Sequence, residues 1–365
     1  MKKFSLILTL ALILSMLAGC AGTPVVYYTN CTCPTGGQIV PTQPEPTESQ
    51  NPTQPPVVTE GALKLGLYIG TNIGDSKSAT DANGEAKYDV TIVAVLVDDK
   101  GVIADCIIDG IASSVAFDAT GTITADLTAP VQTKNELGVN YGMVAWGGAI
   151  AEWDAQAAAL ASFAVGKTVD ELRNGAIDEN TGYAPEGSDL ASSATIYLGG
   201  YVSGIEAAVA NAQQLGAQSG DQLKLAVIAS VDSSTSASAE AAGTACLNVD
   251  VTALTVKDEI ITSCIIDSVQ AKVSFDNAGQ LTTNLAEPVL TKNQLGENYG
   301  MKAWGGAIAE WNEQAASFAA YVTGKTGAEV AGIAVAEGKP SDADLAASVT
   351  IAIGGFQALI AKALQ

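Results

Sequence analysis

Histidine is absent from all 365 residues. This removes the usual general base near neutral pH, the commonest metal ligand and the usual haem ligand. Ser-His-Asp and Cys-His arrangements and histidine-built zinc hydrolase sites are therefore excluded, which argues strongly against a hydrolase. Basic residues are scarce as well: 17 Lys and Arg stand against 39 Asp and Glu, for a formal net charge of −22. A surface this acidic repels phosphate backbones and anionic headgroups, so nucleic acid is not an expected partner. There are six cysteines but no C-x-x-C-H, which excludes covalent haem. Apart from Cys20, treated below, they are Cys31, Cys33, Cys106, Cys246 and Cys264, an odd number that argues against a full disulfide framework.

Residues 1–20 read as an export signal. Lys2 and Lys3 form the charged start, and Phe4 to Leu17 is an apolar run too short for an ordinary transmembrane span. Leu17-Ala18-Gly19-Cys20 then has the form of a lipobox, in which the cysteine sulfur takes a diacylglyceryl group and the chain is cut before it. Two acyl chains make a stable anchor. The expected location is thus the cell membrane, lipid-anchored on the extracytoplasmic face, with membrane lipid as a partner through Cys20. Loss of both lysines takes the charge from −22 to −24. Residues 21–60 are rich in Pro, Thr and Gln and are expected to form an extended tether, reaching ~120 Å at ~3.1 Å per residue.

The remainder is an internal repeat. Residues 133–156 and 291–314 are identical at 19 of 24 positions at an offset of 158. The match extends back through Cys106-Ile107-Ile108-Asp109 and Cys264-Ile265-Ile266-Asp267. A period this long indicates duplication of a whole domain, with copies at 61–217 and 218–365. Each is long enough to bury its own core, so two separately folding domains are expected, split near Gly216–Asp221.

Each copy reads as strands followed by helices, so the expected class is α+β: an antiparallel hairpin sheet with C-terminal helices. A first strand covers Leu63–Ile69, with Leu223–Ala229 as its counterpart. A hairpin of Val90–Val97 and Val102–Ile108 turns at Asp98-Asp99-Lys100-Gly101. Polar turns Asp118–Gly121 and Asp276–Gly279 lead to another short strand. Helical spacing of Ile150, Trp153, Ala157, Leu160 and Ala164 predicts a helix over 149–165. Thr168 and Glu171 predict a capping box for the next helix, and Thr326 and Glu329 its twin. Final amphipathic helices are expected over 201–212 and 356–364.

Four features bear on chemistry. Trp146-Gly147-Gly148 and Trp304-Gly305-Gly306 would suit stacking on a planar ligand, or a loop entering a helix with the tryptophan in the core. Cys106 and Cys264, in apolar company, read as small core residues. Asp75 to Asp89 has a spacing similar to a calcium loop but lacks the remaining ligands, and a solvated loop is expected. The fourth is Asp189-Leu190-Ala191-Ser192-Ser193-Ala194-Thr195, with Asp344-Leu345-Ala346-Ala347-Ser348-Val349-Thr350 in the second copy. Hydroxyl residues ahead of a helix are ordinarily caps, and Thr followed by Ile also suits a strand.

That last segment resembles the covalent flavin-attachment motif of the FMN-binding domain family, roughly D-x-x-S-G-A-T before an amphipathic helix. Ser193 and Ser348 stand where the family has glycine, Val349 replaces alanine, and Ala347 replaces the first serine. The resemblance implies that a flavin transferase joins FMN phosphate to Thr195 and Thr350, with Asp189 and Asp344 in recognition. With a flavin attached there, Tyr201 or Phe356 would cover one of its faces and Trp146 or Trp304 the other. On that reading the chain is a flavin-based electron carrier with a membrane redox partner, not a catalyst of its own reaction. The main rival is a non-enzymatic surface binding or adhesion module, in which duplicated sites on a tether act multivalently. A solute-binding lipoprotein is disfavoured, because a duplicated domain does not resemble two alternating α/β lobes.

Overall fold

The computed structural model of the chain describes residues 61–365. The expected signal and tether, with Cys20, Cys31 and Cys33, lie outside the described residues. The class is α+β, with antiparallel sheets flanked by helices.

Copy 1 begins with a three-stranded meander, β1 (Lys64–Asn72), β2 (Gly84–Val97) and β3 (Ile103–Phe117), in the order β1-β2-β3. The short helices α1 (Lys134–Leu137) and α2 (Met143–Gly147) follow, then α3 (Trp153–Ala164), α4 (Val169–Ala176) and α5 (Gly199–Ala210). Copy 2 repeats the plan with β4 (Gln222–Ser230), β5 (Gly243–Lys257) and β6 (Ile260–Phe275). Its helices are α6 (Lys292–Leu295), α7 (Met301–Gly305), α8 (Trp311–Val322), α9 (Gly327–Ala331), α10 (Ala343–Ala346) and α11 (Gly354–Ala363). A two-residue ribbon, β7 (Val335–Ala336) with β8 (Lys339–Pro340), lies between α9 and α10.

The hairpins lie where the alternation places them but run further. β2 starts six residues before Val90, and β3 continues to Phe117. The extra length is polar on alternate residues, Glu85, Lys87 and Asp89, which face outward while Ala86, Tyr88 and Val90 are buried. After the Asp118–Gly121 turn only an isolated bridge, Phe117 to Ile123, stands where a further strand was expected. Both expected capping boxes, Thr168 with Glu171 and Thr326 with Glu329, are present. The helix expected from residue 149 starts only at Trp153, because Gly148 takes a left-handed φ of 62° and Glu152 is extended.

The second half of β2 is buried on both faces. Val93, Val95 and Val97 point to α3, α4 and α5, while Ile92, Ala94 and Leu96 point to the other copy. The same division holds in copy 2, where Ile266 and Leu254 meet the helices and Val249, Val251 and Ala253 face inward. The layers are therefore helices, sheet, sheet, helices. The middle core, between the two sheets, draws on both copies, so neither closes all of its apolar surface alone.

The junction is built in rather than loose. Leu63 N donates to Ala217 O, and Leu65 and Gln213 exchange both backbone hydrogen bonds at 2.9 Å. Asp221 accepts from Thr262 Oγ1 at 2.6 Å and from Gln218 N at 2.9 Å. The expected division near Gly216–Asp221 thus falls inside a packed segment.

Candidate functional site

The repeated segment 133–156 and its twin build the same corner twice. Thr133 caps α1, accepting from Glu136 N at 3.2 Å while the Glu136 carboxylate takes Thr133 N at 2.9 Å. Asn135 Nδ2 donates to Ile108 O at 2.9 Å, and the Asp109 carboxylate accepts from Gly110 N and Asn135 N. Asn293 and Asp267 repeat these bonds. Burial pushes the Asp109 and Asp267 carboxyls up to about 6, against the hydrogen bonds that favour their ionised forms.

Lys134 Nζ lies 5.1 Å from the centre of the Trp153 ring and 3.1 Å from the Asp89 carboxylate. Lys292 sits 4.7 Å from the Trp311 ring centre. Asn248 holds the register position of Asp89, facing Gln270 as Asp89 faces Ala112. Burial is the largest influence on both lysines. In Lys134 the neighbouring Tyr201, Asp89 and Tyr141 outweigh it and raise the pKa, whereas in Lys292 it prevails and lowers the pKa.

Between α1 and α3 the chain makes a tight knuckle. Glu152 caps α2 by accepting from Met143 N at 2.8 Å and Val144 N at 3.1 Å, and Glu310 does the same for Met301 and Lys302. Gly142 has a φ of 82°, and a Cβ there would stand 2.4 Å from Trp146 Cδ1, so the indole folds back over bare backbone. The knuckle is a loop entering a helix, as one reading of the sequence had it, but its tryptophan is not core. Trp146 and Trp304 are each 91% exposed. Ile150 and Ile308 are 56% exposed, and Val139 and Val144 add to the apolar surface of copy 1. The core places belong to Trp153 and Trp311. The exposed Trp and Ile recur in both copies, whereas Val139 and Val144 give way to Glu297 and Lys302 in the second.

Thr195 and Thr350 are held alike. Gln156 is fully buried, and its Oε1 accepts from Thr195 N at 2.7 Å, Ile196 N at 3.1 Å and Thr195 Oγ1 at 3.2 Å. Gln314 holds Thr350 and Ile351 in the same way. The threonines are neither caps nor strand residues. They sit in the link that leads into α5 and α11. Asp189, Asp344 and Ser193 are exposed. Asp342, not Asp344, caps α10. Ser348 Oγ donates to Leu345 O at 3.3 Å.

The expected flanking aromatics are otherwise engaged. The Tyr201 hydroxyl accepts from Trp153 Nε1 at 3.0 Å, and buried Phe356 packs edge-on against Trp311. No hydrogen bond or ring contact among the described residues joins Trp146 to Thr195 or Trp304 to Thr350.

Burial raises the Cys106 and Cys264 thiols to about 12, consistent with core residues. Among the described residues no group of three His, Cys, Asp or Glu could hold a metal ion, and no helix is long and apolar enough to cross a membrane. Sequence reasoning missed Gln156 and Gln314. Their identity in the repeat was the only signal, since their separations from the threonines differ, 39 and 36 residues. No protein-family model matches the chain, and no curated protein or solved structure matches it either.

Proposed function

We propose that the chain is a lipid-anchored, extracytoplasmic binding protein made of two homologous domains, each offering a tryptophan contact to a surface partner. The observation that carries this reading is the 91% exposure of Trp146 and Trp304 in equivalent, glycine-turned knuckles. An indole left in water on a fixed backbone is a low-entropy anchor, of the residue type enriched at binding hot spots. Two such anchors on one tethered chain raise affinity through effective concentration. The mature protein should sediment with isolated cell-envelope material. Each single Trp→Ala change should weaken that binding, and Trp146→Ala with Trp304→Ala should abolish it. Undiminished sedimentation of the double variant would remove the reading. Anchoring itself predicts that Cys20→Ala is lost from the detergent phase.

A second reading is favoured by the paired glutamine clamps, which hold Thr195 and Thr350 at the same place before a helix, with Thr195 exposed. On it, a flavin transferase attaches FMN to both threonines and the chain carries electrons to a membrane redox partner. Ser193 and Ser348 flank the linkage, and Asp189 and Asp344 serve recognition. Coexpression with a transferase, in-gel fluorescence and peptide mapping decide it. Label must appear on wild type and vanish in Thr195→Ala with Thr350→Ala.

A further inference from the structure

Two cavities of about 500 and 340 Å³ share Gln213, Ile265 and Asn293 and so form one groove at the junction of the copies. Its floor is Cys264–Asp267, on the edge strand β6. One wall is α8, through Ala316, Ala319 and Ala320. The opposite wall is the chain leaving copy 1, Gln213 and Leu215, and the far end is Leu67–Ile69 of β1. The groove exists only because the copies share a core, and its size falls in the range of small-molecule sites.

Its chemistry is narrow. The polar side chains are mainly carboxamides and hydroxyls: Gln213, Asn293, Asn312, Thr291 and Thr323. No Lys, Arg or Glu lines it, although the chain is rich in acid. Its one carboxyl, Asp267, is buried and already accepts two backbone N–H groups. An anion would meet no counter-charge, and a cation would find that carboxyl occupied. Asn293, Thr291 and Thr323 each spend a side-chain hydrogen bond within the fold, as do Asn211 and Gln294. That leaves the carboxamides of Gln213 and Asn312, each a donor and an acceptor, to match a hydroxyl that is both. The Asn312 Oδ1 is buried without a hydrogen-bond partner, and Gln213 is engaged through its backbone. The alanine wall and Tyr68 at the far end supply apolar surface for the C–H face of a ring.

We infer that this groove binds an uncharged sugar. The inference does not depend on the exposed tryptophans. The mature chain is offered glucose, galactose, N-acetylglucosamine, maltose and cellobiose, with galacturonate as a charged control. Binding is detected by saturation-transfer NMR and measured by calorimetry. At least one neutral sugar should bind at a single site per chain. Gln213→Ala with Asn312→Leu should weaken it at least about tenfold, the equivalent of losing one or two hydrogen bonds. Asp99→Asn, on the exposed hairpin turn and outside the groove, should leave it unchanged. A cooperative unfolding transition retained by the groove variant shows that it folds. Silence from every neutral sugar, preference for galacturonate, or equal binding by the folded groove variant overturns the inference.

Discussion

Phe117 and Phe275 stack face to face across the two copies, with ring centroids 4.0 Å apart and planes 2° from parallel. They occupy equivalent positions 158 residues apart, and the contacts around them are reciprocal. Ala79 N donates to Gly279 O and Ala237 N to Gly121 O, both at 2.8 Å. Gly121 and Gly279 have φ of 69° and 66°, and a Cβ on either would stand within 2.7 Å of the other copy. Phe117→Ala should therefore cost about 3–5 kcal/mol, as for a fully buried ring, in a single unfolding transition seen by probes in both copies. Two separated urea transitions would show that the copies unfold independently.

The shared core changes what each half can do by itself. Residues 61–217 alone would expose Leu65, Ile92, Leu96 and Phe117 on one face of the sheet. Each half should bind a hydrophobic dye and lack near-ultraviolet dichroism, and mixing the two should restore both native signals. Halves that each give a sharp, cooperative melt would contradict the common core.

The strands and the repeat were legible because alternation and a 158-residue offset are local patterns read directly from the letters. Thr168 and Glu171 announced a helix start for the same reason. The face-to-face union of the copies was not legible, since Ile92 and Val93 are equally apolar and nothing local says that both faces are covered. At the candidate site the Trp-Gly-Gly turn was visible, but helical spacing counted Ile150 into α3. Only the left-handed Gly148 and the extended Glu152 show that Ile150 stays outside. The Gln156 clamp on Thr195 joins residues 39 apart and has no sequence pattern.

Gln156 should be costly to replace. Gln156→Leu keeps the bulk but strands two backbone N–H groups, of Thr195 and Ile196, beside a buried apolar side chain. A loss of about 2–4 kcal/mol is expected by urea denaturation, whereas Thr195→Val, which removes only the hydroxyl, should cost about 1 kcal/mol or less. Equal losses in the two variants would mean that the backbone bonds contribute little.

Asp109 and Asp267 make stability depend on pH in an unusual direction for acids. Their folded pKa is raised from 3.8 to about 6, so the unfolded chain gives up these protons first. Their contribution is intact below pH 4 and is lost as pH rises through about 6. Between pH 4 and 7.5 wild type should lose about 2–3 kcal/mol per site relative to Asp109→Asn and Asp267→Asn, which keep an acceptor oxygen but do not titrate. A wild-type-to-variant gap that stays constant across that range would show the carboxyls to be ionised throughout.

The four tryptophans divide into an exposed pair and a buried pair, which gives the knuckle a direct optical test. Trp146 and Trp304 are 91% exposed, while Trp153 and Trp311 are 3% and 7% exposed. Acrylamide is the suitable quencher, because it is neutral and a charge of −22 would repel iodide. Wild type should show an accessible and a protected component. Trp146→Phe with Trp304→Phe should remove the accessible one, shift the remaining emission to the blue and change stability by no more than about 0.5 kcal/mol, as expected of surface positions. Both indoles rest over left-handed glycines, Gly142 and Gly300, and the carboxylates of Glu152 and Glu310 tie down the backbone beneath them. Glu152→Gln should therefore loosen the first knuckle without burying its ring, and the accessible component should persist. If the accessible component instead survives in the double phenylalanine variant, the exposed rings are Trp153 and Trp311, and the binding contacts assigned to the knuckles lose their basis.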